Sequence, residues 1–108
     1  MLVAYTNALD LTGVLIRTLR PIVEQLKQRS ADLADQIERA ATSVAHNVGE
    51  GSRRAGKDRR RFYAMAHGSA GEILAALDVA DAWGWEVECT KARAVLDREL
   101  ALLWGLTH

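Results

Sequence analysis

Apolar residues recur at steps of three and four along almost the whole chain, a spacing that fits amphipathic helix and little else. Ala8, Leu11, Leu15, Leu19, Ile22, Val23 and Leu26 form a first stripe, and Leu33, Ile37, Ala40, Val44 and Val48 a second. Phe62, Ala66, Ser69, Ile73, Leu77 and Ala80 form a third, and Ala92, Val95, Leu96, Leu100, Leu103 and Leu106 a fourth. Four helices with short connections in 108 residues predict an all-α fold. The expected form is an antiparallel up-down-up-down four-helix bundle, with residues 1–108 as one domain.

The punctuation supports that division. Helix one should begin near Ala4 to Asn7. Pro21 lies inside its register and costs an interior helix ~3 kcal/mol, so a bend or break is expected within Arg17–Pro21. Ser30 is a suitable N-cap for helix two, and Asp32 suits its first turn. Asp35, Arg39, Thr42, His46 and Glu50 make the polar face of that helix. Gly49 and Gly51 are expected to stop it. Helix three should start at Lys57 or Asp58 and end at Gly84, with Trp85 folding back on the cap. Gly68, Ser69, Ala70 and Gly71 in its middle predict close approach by another helix, within the subunit or from a second copy. Thr90 is expected to cap helix four, where Arg93 and Asp97 sit at i,i+4.

Composition excludes several classes. Half of the chain (49%) is hydrophobic and 26% is charged, a globular balance. No uncharged run approaches the ~18 residues of a membrane span, and the start lacks a signal-peptide pattern, so a cytoplasmic protein is expected. The single Cys89 has no disulfide partner and makes no zinc site.

The formal net charge is zero, but the charge is unevenly placed. Residues 53–61 hold six Lys or Arg and one Asp, whereas residues 62–108 hold three and seven. The basic run Arg53, Arg54, Lys57, Arg59, Arg60 and Arg61 is the strongest functional signal. Arg outnumbers Lys there five to one, and its planar fork suits bidentate phosphate contact. Polyanion binding is one reading. The other is a solvated turn that pairs with Asp58 or with acidic residues of a neighbour.

Other candidates are weaker. Asn47 and Glu50 near the end of helix two form either a polar ligand site or a terminus, with Asn47 bonding backbone of the turn and Glu50 capping or pairing with Arg. His46 and Glu50, one turn apart, supply only two metal ligands, so no metal site is assigned. Arg61 and His67 have the spacing of HEPN-type ribonucleases, which usually carry it near the C-terminus. A surface or interface histidine is the preferred reading.

Two short motifs at fixed separation give a resemblance. Ala41 to Gly51 reads A-x-S-V-x-x-N-x-x-E-G, and Phe62 to Glu72 reads F-Y-x-x-A-x-G-S-x-x-E. With Ser43, Val44, Asn47, Glu50, Gly51, Phe62, Ala66, Gly68, Ser69 and Glu72 as motif residues, the chain resembles the four-helix-bundle proteins encoded in intervening sequences of bacterial 23S rRNA genes. The resemblance implies a ring, typically a pentamer, and no established enzyme activity. Members are similar to the accessory protein of diversity-generating retroelements, a basic ring that binds nucleic acid and a reverse transcriptase. Gly49 departs from an expected Ala. His67 stands where Arg or an apolar residue is usual, so no family role is carried onto it.

The function expected from all this is a non-enzymatic homo-oligomer, a pentamer as first choice, that binds RNA or DNA through the turn between helices two and three. The alternative is an interaction ring without a nucleic-acid role, and a HEPN-like ribonuclease comes third. No cofactor, metal or membrane is implied. Some of Trp83, Trp85 and Trp104 are expected in subunit contacts.

Overall fold

The computed structural model describes the backbone of residues 2–108 and the side chains from Ala8 onward. Four helices follow one another: α1 (Leu2–Lys27), α2 (Ala31–Ser52), α3 (Gly56–Ala82) and α4 (Thr90–Thr107). Among the described residues, α1 packs on α2, α2 on α3, α3 on α4 and α4 back on α1, with no contact across the diagonals. That closed order is a four-helix bundle. The molecule measures 42 × 21 × 19 Å, and its long axis matches the ~40 Å that α3 spans at ~1.5 Å per residue.

Helix α1 starts at Leu2, ahead of the expected Ala4–Asn7, and runs unbroken through Pro21. The break does not occur because the apolar stripe continues on both sides of the proline. Leu15, Leu19, Ile22, Val23 and Leu26 are all buried. Each contributes ~1.5–3 kcal/mol on burial, which together outweighs the ~3 kcal/mol that a helical proline costs.

Ser30 caps α2 as expected, its side chain accepting the Leu33 N–H at 3.1 Å. The end of α2 corrects the reading of Gly49 and Gly51. Both are helical, and α2 continues to Ser52. Gly51 is needed for a different reason: a Cβ there would lie 2.8 Å from Cε1 of the Tyr63 ring. The positive-φ glycines are Gly56 (φ 59), at the start of α3, and Gly84 (φ 77). Gly84 ends α3 as expected. Its N–H donates to the Asp81 carbonyl at 2.9 Å and the Trp85 N–H to the Ala80 carbonyl at 3.2 Å, the two bonds of a Schellman cap. Trp85 packs back on the core.

Three further expectations are corrected. Tyr63, not Phe62, is the buried aromatic of α3; both positions suit the stripe that follows, and the missing side chain of Gly51 makes room for the tyrosine. Thr90 does not cap α4, because Cys89 holds the cap position without a side-chain bond. The Glu88 carboxylate instead accepts the Thr90 N–H at 2.7 Å. Hydrogen bonds from Thr90 hold the Glu88 carboxyl below its usual range. Finally, Arg93 pairs across helices with Asp78 at 2.8 Å rather than with Asp97.

Polar contacts interrupt the apolar core on two seams among the described residues. Between α2 and α3, the Ser43 and Ser69 hydroxyls lie 2.8 Å apart. The Asn47 amide donates to the Ser43 carbonyl (2.9 Å) and hydroxyl (3.1 Å). Between α4 and α1, Glu99 is fully buried, with Oε1 3.2 Å from the Thr12 hydroxyl. That hydroxyl also lies 2.8 Å from the Ala8 carbonyl. One hydroxyl hydrogen cannot serve both acceptors. Burial raises the Glu99 carboxyl to about 7, and in the protonated form it donates to Thr12 while Thr12 donates to Ala8.

Candidate nucleic-acid interface

The basic run begins where α2 ends. Arg53 caps the helix, its N–H donating to the Glu50 carbonyl at 3.1 Å and the Arg54 N–H to the Gly51 carbonyl at 3.2 Å. The connection is short because Gly56, at positive φ, starts α3 only three residues after Arg53. This turn gathers the six cations at one end of the bundle, but it does not make them equivalent.

Four are occupied. Arg53 and Arg54 both hydrogen-bond the Glu50 carboxylate, Arg54 at 3.1 Å. These bonds hold Glu50 below the usual carboxylate range, Arg53 contributing most. Asp58 lies 3.5 Å from Arg54 and 3.3 Å from Arg61. The Arg54 and Arg61 guanidiniums also sit 5.2 and 4.8 Å from the centroid of the Phe62 ring, within cation–π range. Arg59 is turned inward, its Nε donating to the Gly51 carbonyl at 3.2 Å. The run therefore faces two carboxylates, because Glu50 adds to Asp58.

Lys57 and Arg60 are different. Both are exposed, and neither has an ion-pair partner among the described residues. They line a cleft of about 430 Å³ together with Arg61 and His67 of α3 and with Trp104 and His108 at the end of α4. The start of α3 and the end of α4 meet here because His67 faces Trp104 while Asp78 faces Arg93 further along. No acidic side chain lines the cleft.

The motif residues sort differently. Asn47 is buried and bonds within α2, one turn back, rather than to the turn. Ser69 reaches Ser43, and Gly51 accommodates Tyr63, so these positions join α2 to α3. Gly68 and Gly71 do not receive a neighbouring helix, since a Cβ at either meets nothing within 4 Å. Within the subunit the close approach therefore comes at Ser69, which reaches Ser43, and not at the two glycines. Glu50 is committed to arginines, which removes it from a pair with His46. Among the described residues no three of His, Cys, Asp and Glu converge as a metal site. Arg61 and His67 share the cleft, with Arg61 bonded to Asp58.

Sequence reasoning missed Glu99, and it singled out Trp104 only for a subunit contact, not for the basic turn. Glu99 falls three residues after Leu96 and four before Leu103, inside the apolar stripe of α4; that placement was the available signal. Trp104 is brought to the basic turn only by the packing of α4 on α3, and nothing local in the sequence marks it. No helix is long and apolar enough to cross a membrane among the described residues.

Residues 2–92, most of the chain, match the family described as 23S rRNA-intervening sequence protein. No curated protein and no solved structure matches the chain.

Proposed function

We propose, from the premise that this chain belongs to the 23S rRNA-intervening sequence protein family, that it is a non-enzymatic, oligomeric nucleic-acid-binding adaptor. The observation that carries this is that, among the described residues, Lys57 and Arg60 have no ion-pair partner and stand beside four further cations that Glu50 and Asp58 offset in part. Clustered cations at one end of a rod attract phosphates without reading bases.

The outer face of α3 supports self-assembly. Met65, Gly68, Glu72, Ala75, Val79 and Trp83 follow one another at three- and four-residue steps, and all are exposed. Five of the six are apolar or small, a surface that a second copy of the chain can cover. The assembly is proposed as a closed ring, with five subunits as first choice, which would repeat the basic end around one rim. Light scattering over a range of concentrations should report a fixed multiple of the 11.9 kDa chain. A concentration-independent monomer would sink the ring.

Binding is tested by fluorescence anisotropy with labelled RNA and DNA at low and moderate salt. Affinity should fall steeply with salt, by a log–log slope of ~0.7 to ~0.9 for each phosphate neutralised. The decisive variant reverses Lys57 and Arg60 to Glu, since reversing Arg59 would also disturb its bond to Gly51. Loss of binding with an unchanged circular dichroism spectrum is the expected result. A wild type that binds neither nucleic acid leaves the interaction-ring reading, which the carboxylate pairing of Arg53, Arg54 and Arg61 favours.

A further inference from the structure

The two unpaired cations stand beside an indole that is largely in solvent. Trp104 is 54% exposed, although it follows the fully buried Leu103. Leaving so large an aromatic surface in water is costly unless something covers it. Part of the cover is visible. The His108 imidazole lies on the indole with ring centroids 3.3 Å apart and planes within 20°. His67 approaches at 6.0 Å and 50°. The indole face thus already accepts a planar ring in parallel stacking, and the cations Lys57 and Arg60 line the same open cleft.

We infer that this cleft is a single-strand subsite: one base stacks on Trp104 in place of the His108 imidazole, and Lys57 and Arg60 hold the flanking phosphates. The inference rests on the nucleic-acid function proposed above and narrows it to a substrate class. Single strands can present free base faces to an aromatic platform, and stacking of this kind is tolerant of sequence. A duplex keeps its bases stacked on one another and offers the cleft only phosphates. An acidic peptide would use the two cations and leave the indole uncovered.

The test compares a labelled oligouridylate, the matching oligothymidylate and a duplex of equal length, by anisotropy and by tryptophan emission. The full chain should bind the single strands at least tenfold more tightly than the duplex at the same salt. Trp104→Ala should lose roughly tenfold or more on single strands, with duplex affinity and salt slope unchanged. Trp104→Phe, which keeps a ring, should retain part of the affinity and lose the strand-induced quenching of tryptophan emission. Equal affinity for strand and duplex overturns the stacking subsite and leaves the electrostatic function standing. So does unchanged strand binding by Trp104→Ala when the Lys57→Glu, Arg60→Glu variant binds nothing. Absence of any nucleic-acid binding, or equal binding of polyglutamate, overturns both.

Discussion

The two polar contacts buried in the bundle lie on different seams and differ in kind. Across the α2–α3 seam Ser43 meets Ser69, with Asn47 bonding Ser43 from within α2, and all three are neutral. The α4–α1 seam is held by Thr12 and a carboxyl group, Glu99. Each leaves one buried oxygen without a partner, Asn47 Oδ1 and Glu99 Oε2. Both sites thus carry the same desolvation flaw, yet only one of them can answer to pH. A buried polar contact between helices fixes register in either case. Whether its strength changes with conditions depends on one residue being Glu rather than Gln or Asn.

The largest effect that separates the seams should be pH dependence. Below about pH 4.5 Glu99 is neutral in folded and unfolded chains, and it contributes no pH dependence. Between there and about 7 the unfolded chain ionises while the buried carboxyl stays protonated. The folded state then binds more protons, so stability falls as pH rises, and the loss is complete above about 7. At ~1.4 kcal/mol per unit the loss is roughly 3 kcal/mol. Glu50 and Glu88 are shifted downward and act in the opposite sense at lower pH, so this window belongs to Glu99. Urea unfolding at pH 5 and pH 8 should show the fall, and Glu99→Gln should flatten it. A wild-type stability that is level across the window would contradict the protonated pairing with Thr12.

The α2–α3 seam is broken sterically. Gly51→Ala places a methyl against the fully buried Tyr63 ring, which has nowhere to go. Overpacking costs ~1–3 kcal/mol, and the helix propensity of Ala returns ~1. A net loss of about 1 kcal/mol, and at most about 2, is expected by denaturant midpoint. The same substitution at Gly68 meets open space and should stabilise an isolated subunit by up to ~1 kcal/mol. If Gly68 lies in the ring contact, Gly68→Ala should instead weaken assembly, which light scattering reads separately.

Asn47→Ala should cost about 1 kcal/mol at pH 5 and at pH 8 alike, because only neutral hydrogen bonds are lost. A pH-dependent cost would show that the two seams are coupled. Ser69→Ala, which removes one hydroxyl contact between half-buried groups, should cost least, roughly 0.5 kcal/mol.

What was legible in the sequence follows from range. Helix number, the Ser30 cap and the Gly84 stop depend on residues within one turn of each other, and local patterns report them. Gly51 was misread because a glycine needed for φ and a glycine needed for space look identical in sequence; only Tyr63, twelve positions on, tells them apart. Phe62 and Tyr63 are adjacent and equally apolar in pattern, so their register was settled by that same glycine. The basic run was visible, and so was its pairing with Glu50 and Asp58, which the structure bears out. Which cations that pairing leaves over was not, and the cleft needs Trp104, more than forty residues away. Spacing along the chain carries no information about such a meeting.

Pro21 has a consequence for how the bundle breathes. Its missing N–H leaves the Arg17 carbonyl without the usual donor four residues on. Two surface grooves, one toward α2 and one toward α4, meet the helix at this same level. The ladder of α1 is therefore interrupted in bonding although it is continuous in shape. Fraying that begins at the N-terminal end can stop at the proline instead of propagating to Lys27. In deuterium exchange, the amides before Pro21 and those after it should behave as two separate opening units, the second protected with the closing turn onto α2.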